Sequence, residues 1–170
     1  MFISLIEWCA NGAAIEAAPA REGARVTRLY RTEGVIEDRM IWSEFDVRPH
    51  VRGLPQAKVT LLQKTQEVGH SGPLVAPFVY LVHTDIEPDL LDEYNAWYGE
   101  EHLPRLVKVP GILRARRFSA LAGAPHFLTA YDLADRDAFE SPAGLVARKT
   151  PWTERMRSQF INTRRIMCTL

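Results

Sequence analysis

Cysteine is scarce in this chain of 170 residues, which contains only Cys9 and Cys168. The two lie near opposite ends and form no motif with metal-ligand spacing, so the sequence indicates no zinc site built on cysteine. We interpret them as structural thiols in a reduced, cytoplasmic protein. A disulfide that joins the two ends of one domain is the alternative.

A surplus of either charge is also absent, because 21 Lys and Arg side chains balance 21 Asp and Glu side chains. A basic surplus normally neutralises phosphates, so this balance argues against a nucleic-acid partner. No apolar run approaches the roughly 18 residues of a membrane-spanning helix, which argues against a membrane partner. The N-terminus lacks the leading positive charge of a signal peptide, and Glu7 interrupts its apolar run.

Motifs for cofactors and metals are missing as well. The chain has no GxGxxG or P-loop sequence, and therefore no signature of a nucleotide site. It has neither HExxH nor a serine nucleophile elbow. We therefore predict no cofactor and no metal.

The composition is that of an ordinary globular domain, with 46% apolar and 25% charged residues. A chain of this length forms one good domain or two very small ones. Arginine outnumbers lysine by 17 to 4, which indicates a GC-rich bacterial genome and says nothing about function.

The secondary-structure signals are clearest after a Gly- and Pro-rich stretch at 66–77, which we interpret as a linker. Beyond it the pattern predicts strands at 78–84, 112–118, 126–133 and 160–170. A helix is predicted to begin at Glu87-Pro88 and to end by Pro104. A broken helix at 135–146, interrupted by Pro142 and Gly144, and a helical segment at 151–159 follow. This βαββαβ order is the ferredoxin-like α+β unit.

The first part of the chain gives weaker signals of a similar kind. Strands are predicted at 2–8, 24–32, 39–47 and 57–65, with a short Ala-rich helix at 12–20 and no proper helix at 48–56. Residues 1–76 therefore form a degenerate repeat of the same unit in our interpretation, ahead of the second half at 77–170. An unrelated β-rich extension of the sheet is the alternative.

Residues 93–118 and 125–142 resemble the dimeric α+β barrel superfamily and, within it, the EthD-like group. The shared pattern is an aromatic-rich helix that ends in His-x-Pro at 102–104, followed by a Pro-Gly turn at 110–111. An arginine-bearing strand and an aromatic strand that leads into a short helix complete it. The resemblance covers about 77–170.

The resemblance implies a four-stranded antiparallel sheet with helices on one face and a second sheet closing a barrel on the other. Relatives usually take the second sheet from another subunit, whereas here residues 1–76 would supply it in an intrachain pseudo-dimer. A sheet covered on one side only would leave an apolar face in water. Because the superfamily usually self-associates, we also expect a homodimer.

His102 is the candidate catalytic residue. It follows Tyr98 by four positions and Tyr94 by eight, so the three share one helix face. A helix C-terminus stabilises the protonated imidazole, and a histidine near neutrality at a cavity mouth can act as general acid or base. The alternative is a capping residue that holds the turn into Pro104.

Charge is segregated along the chain around His102. Residues 85–101 contain seven acidic side chains and no Lys or Arg, whereas 102–117 contain five Lys and Arg and no acidic side chain. Strand alternation places Arg114 and Arg116 on one face and Arg117 on the other.

Arg116 and Arg165 are candidate substrate-binding residues. Either of them, if it faces the barrel interior, could bind a carboxylate or enolate bidentately. In the alternative, the arginines pair with the acidic helix on the outside of the sheet.

The remaining candidate substrate-binding residues are tyrosines: Tyr80, Tyr94, Tyr98 and Tyr131. Phenol groups can orient a small molecule in an aromatic pocket. An aromatic stripe at helical spacing is more often simply core, so Tyr80 and Tyr131, which lie on strands, are the better pocket candidates.

The resemblance implies cofactor-independent chemistry of the isomerase, cyclase or monooxygenase type on a small anionic or carbonyl-bearing molecule. His102 would move a proton, Tyr80 or Tyr131 would orient the substrate, and Arg116 would stabilise negative charge. Two alternatives stay open. One is a non-catalytic small-molecule binder, and the other is a structural protein whose barrel is filled by its own side chains.

Overall fold

A computed structural model describes residues 1–8, 22–33, 39–50 and 57–170 of the chain. The strands in these ranges are β1 (Phe2–Trp8), β2 (Val26–Thr32), β3 (Arg39–Phe45), β4 (Ala57–Gly69), β5 (Phe78–Asp85), β6 (Ile112–Ala120), β7 (Phe127–Leu133) and β8 (Ile161–Thr169). All of the predicted strands are confirmed, with shifts of a few residues at their ends. The predicted Ala-rich helix at 12–20 lies outside the described residues.

The helices of the described residues all follow β5. They are α1 (Leu91–Ala96), α2 (Leu103–Leu106), α3 (Pro142–Arg148) and α4 (Pro151–Ser158). A 3-10 turn (Pro88–Leu90) precedes α1, and a π-helical segment (Trp97–His102) joins α1 to α2. The 3-10 turn, α1, the π-helical segment and α2 form one continuous helical stretch, called here the long helix (residues 88–106).

The eight strands form a closed barrel within one chain, in the order β1-β3-β2-β8-β5-β7-β6-β4. Every neighbouring pair is antiparallel. The strands of each half follow the ferredoxin-like order of fourth, first, third and second strand. The second strand of each half pairs with the fourth strand of the other half. The α+β fold expected from the sequence is therefore confirmed.

The degenerate repeat in residues 1–76 stays a prediction, as does the division into two halves at residue 76. Within the described residues before β5, all the regular elements are strands. Their order matches that of the second half. The segments that would carry the helices of a repeat fall in 9–21 and 51–56, outside the described residues.

The barrel interior contains apolar side chains from both halves. The buried members of this cluster include Ile3, Leu5, Met40, Trp42, Leu62, Leu81, Phe118 and Leu128. Trp42 and Phe118 make an edge-to-face contact with ring centroids 5.6 Å apart. Burial of these side chains on both sheets closes the face that either sheet alone would expose to water.

Charged side chains also lie inside the barrel, where Arg116 joins the two halves. Its guanidinium donates to Glu44 Oε1 at 2.8 Å and to Asp132 Oδ1 at 3.0 Å. Arg114 donates to the second oxygen of Asp132 at 2.7 Å, and the Trp42 indole N–H donates to Glu44 at 3.0 Å. Burial alone would raise the pKa of Glu44, yet these cationic and N–H neighbours hold it below its ordinary value.

The outer face of β5 to β8 packs against the helices. Tyr94, Trp97, Leu103 and Leu106 from the long helix are fully buried there. Met156 from α4 belongs to the same cluster, together with outward-facing residues of the strands. The helices thus cover one side of this sheet, and the candidate site lies in this layer.

The long helix continues past Pro104, contrary to the predicted end. The N–H of Leu103 bonds to the carbonyl of Tyr98, a π-type bond one residue longer than in an α-helix. Pro104 therefore stands in the first turn of a new α-helical segment, where a missing N–H costs no hydrogen bond. The helical backbone ends at Val107 instead.

Two further predictions are corrected. The stretch at 66–77 is not all linker, because β4 extends to Gly69 and pairs Val68 with Ala115 of β6. Pro142 and Gly144 begin α3 rather than interrupt a helix, since the Ser141 hydroxyl accepts from the Gly144 N–H at 3.0 Å.

Gly144 has a tertiary role at this helix start. A Cβ there would lie 2.3 Å from the Ala138 carbonyl oxygen, so only glycine allows α3 to approach this backbone.

The Arg116 network predicts a large loss of stability when its cation is removed. Arg116→Met leaves Glu44 and Asp132 short of a buried partner and should lower the free energy of unfolding by about 3 kcal/mol. Arg25→Met is the control, because the Arg25–Asp46 pair is exposed and should contribute less than about 1 kcal/mol. Urea unfolding at pH 7 measures both variants. Equal small losses would contradict a stabilising role for Arg116.

Candidate functional site

A pocket opens between the long helix and the outer face of the sheet. Its walls are mostly aromatic: Tyr80, Val82, Trp97, Tyr98, His102, Tyr131, Phe139, Arg148, Arg157, Phe160 and Arg165. Its volume is about 40 Å³, which is room for a few water molecules. An organic ring needs on the order of 150 Å³, so such a ligand must displace side chains at the mouth.

The structure brings most of the predicted site residues into this pocket. His102, Tyr80, Tyr98, Tyr131 and Arg165 all line it. They come from the long helix and from strands β5, β7 and β8. Although the sequence places these residues up to 85 positions apart (Tyr80 to Arg165), antiparallel pairing of β5 with β7 and β8 sets the strand residues side by side.

Two predicted site residues lie elsewhere. Arg116 points into the barrel, on the opposite face of the sheet from His102, and is 1% exposed. The predicted arrangement in which Arg116 and His102 act on one substrate is therefore wrong. Tyr94 is fully buried behind the pocket, in contact with Tyr98 at a ring-centroid distance of 4.9 Å.

His102 lines the pocket and is 7% exposed. Its imidazole stacks on the Trp97 indole at 4.2 Å and meets Tyr98 edge-on at 5.3 Å. Its Nδ1 is buried and has no hydrogen-bond partner among the described residues. The ring therefore has a buried polar atom that no group in the described part of the chain satisfies.

The charge state of His102 differs from the sequence-based expectation. Burial lowers its pKa from 6.5 to about 3, and the nearby cations Arg157, Arg148 and Arg117 act in the same direction. The helix C-terminus, which favours the protonated form, does not overcome this loss of hydration. The Glu101 carboxylate does not stabilise the protonated ring either, since it accepts a hydrogen bond from the Thr150 hydroxyl at 2.6 Å. His102 is therefore neutral at physiological pH.

The tyrosine hydroxyls beside His102 stay protonated. Burial raises the pKa of Tyr98 and raises that of Tyr131 well above 10. The Thr129 hydroxyl donates to Tyr98 Oη at 3.1 Å. The Arg117 guanidinium lies 4.1 Å from the centroid of the Tyr98 ring. These phenols are thus held in place and can act as hydrogen-bond donors.

Arginines from three elements surround the mouth: Arg148 in α3, Arg157 in α4 and Arg165 in β8. No carboxylate belongs to the described lining. Arg148 pairs with the exposed Glu140 at 3.0 Å, whereas neither Arg157 nor Arg165 has a salt-bridge partner in the described part of the chain. The mouth therefore carries uncompensated positive charge.

Sequence reasoning missed several residues of the pocket, namely Arg148, Arg157, Phe139 and Phe160. Arg157 falls in a helix that was predicted, but no local pattern indicates which arginine of α4 turns toward the sheet. Trp97 belongs to the aromatic stripe at helical spacing, a pattern more often found in the core than in a pocket. It is buried as expected, and it also forms the surface on which His102 stacks.

The described residues hold no group of three or more His, Cys, Asp or Glu placed to bind a metal ion. The Cys168 thiol is free and buried inside the barrel, and burial raises its pKa to about 12. Cys9 lies outside the described residues. Among the described helices, none has the length and apolar character that a membrane crossing requires.

The low pKa of His102 predicts a specific pH dependence of stability. The unfolded chain takes up a proton on this residue near pH 6.5, whereas the folded protein does so only near pH 3. Stability therefore falls as the pH drops through this window, by up to about 1.4 kcal/mol per pH unit. Urea unfolding at pH 7 and pH 5 should show a smaller loss for His102→Gln than for the wild type. An equal loss would contradict the assignment.

Comparisons with solved structures identify the architecture. A candidate monooxygenase from Fusobacterium nucleatum matches with a TM-score of 0.66 and 8% identity, over 99% of this chain and 91% of that chain. The heme-degrading enzyme of Listeria monocytogenes matches with a TM-score of 0.63 and 9% identity, over 99% of both chains.

A third match is a ferredoxin-fold protein from Listeria monocytogenes related to antibiotic biosynthesis monooxygenases. It has a TM-score of 0.58 and 11% identity, over 99% of this chain and 94% of that chain. Neither a comparison with protein families nor one with curated proteins finds a match. At such low identities the likeness shows the fold alone: this chain has the fold of the ferredoxin-like α+β barrel proteins.

Proposed function

We propose that the chain binds a small organic anion or enolisable carbonyl compound in the pocket beside His102, and exchanges a proton with it without a cofactor. The observation that carries this proposal is a neutral imidazole with an unpartnered Nδ1, in a pocket that Arg157 and Arg165 also line without a carboxylate partner among the described residues. The aromatic walls favour a planar, largely apolar body, and the arginines favour a negative group at its outer end.

The arginines select the charge of the ligand. Arg157 and Arg165 have no carboxylate partner in the described part of the chain, so a bound carboxylate or enolate would supply the missing counter-charge. Arg148 lines the same pocket, but its guanidinium donates to the Phe139 carbonyl at 2.7 Å and to Glu140 at 3.0 Å, so it must leave these partners to contact a ligand. A guanidinium binds a carboxylate or enolate through two parallel N–H bonds.

His102 supplies the proton acceptor. Its empty-pocket pKa of about 3 keeps the ring neutral, so Nδ1 can accept a hydrogen bond or a proton from a substrate C–H or O–H. The same cations that lower the pKa of His102 stabilise the anion left behind on the substrate. That anion in turn favours the imidazolium, so proton transfer and charge development support each other.

The tyrosines orient the substrate. Tyr98 and Tyr131 remain protonated phenols at any physiological pH and can donate hydrogen bonds to a developing oxyanion. Tyr80 lies nearer the mouth and is only half-buried. Its side chain can move when a ligand enters, whereas Tyr98 and Tyr131 are fixed by burial.

The fold neighbours and the motif at the end of the long helix suggest the reaction class. The names of the fold neighbours include a candidate monooxygenase and a heme-degrading enzyme. The His-x-Pro and Pro-Gly pattern at 102–111 favours the EthD-like group. We propose accordingly an EthD-like protein of the isomerase, cyclase or monooxygenase type, cytoplasmic and built as an intrachain pseudo-dimer.

Binding without turnover is the second candidate function. Two observations favour it: a histidine with a pKa of about 3 is a weak base, and a pocket of about 40 Å³ must open to admit an organic ring. Both candidates share the ligand chemistry and differ in whether the bound molecule changes.

A binding screen tests the ligand class. We expect aromatic acids, β-keto acids or lactones to raise the melting temperature, and the amide of each responsive acid to raise it less. Arg157→Met should weaken binding of the best acid by about tenfold, because it removes a charge-assisted contact. Arg155→Met is the matched control on the same helix, since Arg155 pairs with Glu93 outside the pocket. Equal effects of the two variants would contradict the site.

Turnover separates the two candidates. The wild type and His102→Gln are incubated with the best ligand, and the products are followed by mass spectrometry and by solvent deuterium exchange. Conversion or exchange that disappears in His102→Gln supports the enzyme. Tight binding with neither conversion nor exchange supports the binding protein.

A further inference from the structure

We propose that Thr153 of α4 is a positioning residue for His102. Its hydroxyl holds the Trp97 indole on which the imidazole stacks, and this fixes the imidazole in the pocket. The role of His102 as a proton acceptor rests on the function proposed above. Its positioning is a property of the free protein and is tested without a ligand.

The π-type turn of the long helix places Trp97 and His102 on one face. The two residues are five positions apart, and side chains at this spacing in a regular α-helix point about 140° apart. In a π-helical turn the backbone hydrogen bond itself spans five residues, so such side chains lie near each other. The two rings accordingly stack at 4.2 Å, with an angle of 27° between their planes.

Stacking is the main contact that orients the imidazole of His102. Its Nδ1 has no hydrogen-bond partner among the described residues, and Tyr98 meets the ring edge-on at 5.3 Å. A side chain without a hydrogen bond to direct it takes its orientation from the surfaces on which it packs. The position of Trp97 therefore sets the position of His102.

A buried hydroxyl of α4 holds the Trp97 indole. The indole N–H donates to Thr153 Oγ1 at 3.2 Å, and Thr153 is 1% exposed. The Thr153 hydroxyl donates in turn to the Glu101 carboxylate at 3.4 Å, which also accepts from the Thr150 hydroxyl at 2.6 Å. Because the hydroxyl is used both as donor and as acceptor, its direction is fixed. The indole cannot turn away without leaving a buried N–H unpaired.

The same helix carries a cation of the pocket. Arg157 follows Thr153 by four positions on α4, so the two share one side of the helix, and Arg157 lines the pocket. The helix begins after Thr150, whose hydroxyl accepts from the Thr153 N–H at 3.0 Å. One helix therefore carries Arg157 and holds the indole on which His102 stacks.

The pKa of His102 reports whether its ring stays in place. Burial is the largest cause of the low value of about 3, and the cations that act in the same direction are Arg117 of β6, Arg148 of α3 and Arg157 of α4. These three cations are unchanged by a substitution at Thr153. An imidazole that leaves the stack gains water, so its pKa should rise toward 6.5.

An NMR titration of the ligand-free full chain tests the positioning. Thr153→Val keeps the β-branched shape and removes the hydroxyl. We expect the Trp97 indole N–H signal to move upfield, because its hydrogen bond is lost. We expect the pKa of His102 to rise by about one pH unit or more, because its ring is less buried. Thr153→Ser keeps the hydroxyl and should preserve both values.

Ser158→Ala is the matched control on α4. The Ser158 hydroxyl donates to the Arg155 carbonyl at 2.7 Å in an exposed position, so its loss should leave the pKa of His102 unchanged. Trp97→Phe removes the N–H that Thr153 accepts and keeps an aromatic ring. It should raise the pKa of His102 by itself, and Thr153→Val added to it should cause little further rise.

Circular dichroism shows that each variant is folded before its titration is compared. A rise of the His102 pKa in Thr153→Val that is absent in Thr153→Ser supports the proposal. An unchanged pKa in Thr153→Val would overturn it, as would a Thr153→Ser variant that behaves like Thr153→Val. If Thr153→Val does not fold, an unchanged pKa in Trp97→Phe overturns the proposal instead.

The double variant tests the route of the effect. A further rise as large as that in Thr153→Val alone would overturn the proposal, because Thr153 would then act on His102 without the indole, for example by releasing Glu101. None of these measurements needs a ligand. Their failure would leave the binding screen valid, and a screen without a responsive acid would leave the positioning of His102 valid.

Discussion

The buried contact between Arg116 and Glu44 links the two halves of this molecule inside the barrel. It joins strands from the two halves of the chain across the barrel interior, 72 positions apart in sequence. With Asp132 and the Trp42 indole around it, the guanidinium fills space that a ligand could otherwise occupy. A buried cation with two carboxylate partners is costly to expose or to strip of its partners. The barrel interior is therefore filled by a structural network, and the candidate site lies on the outer face of the sheet.

That outer face has a different electrostatic character. Inside the barrel, arginines meet carboxylates at short distances, and their charges are compensated. In the helix layer, His102 and the tyrosines lie among arginines with few carboxylates nearby, so neutral imidazole and neutral phenols are favoured. An anionic ligand is the component that would complete this charge arrangement. Because strand residues alternate between the two faces of the sheet, the arginines inside the barrel are paired with carboxylates, whereas those in the helix layer have few carboxylates nearby.

Local signals predicted much of the fold and part of the site. Pro88 and the acidic residues after it mark a helix start, and β-branched runs mark the strands, because these patterns depend on nearby residues only. Alternation correctly separated Arg116 from Arg117 but could not indicate which face is inside, since that depends on the other half of the barrel. The end of the long helix was missed because a π-type turn, which has no local signature, accommodates Pro104.

The charge state of His102 shows the same limit. A helix C-terminus favours imidazolium, and that effect can be read from the sequence. Burial against Trp97 and three surrounding arginines opposes it, and these neighbours come together only in the folded chain. Gly144 is a similar case. Glycine is required there because the start of α3 lies against the carbonyl of Ala138, and this contact forms only in the folded chain.

The location of ligand binding is the central claim, and tryptophan resonances report on it directly. Trp97 lines the outer pocket, whereas Trp42 lies inside the barrel beside Arg116. Fluorine NMR of protein labelled with fluorotryptophan, titrated with an organic acid that stabilises it, reads both sites in one spectrum. The account predicts that the Trp97 signal shifts with saturation while the Trp42 signal stays constant. A saturable shift of Trp42 with an unchanged Trp97 would contradict it.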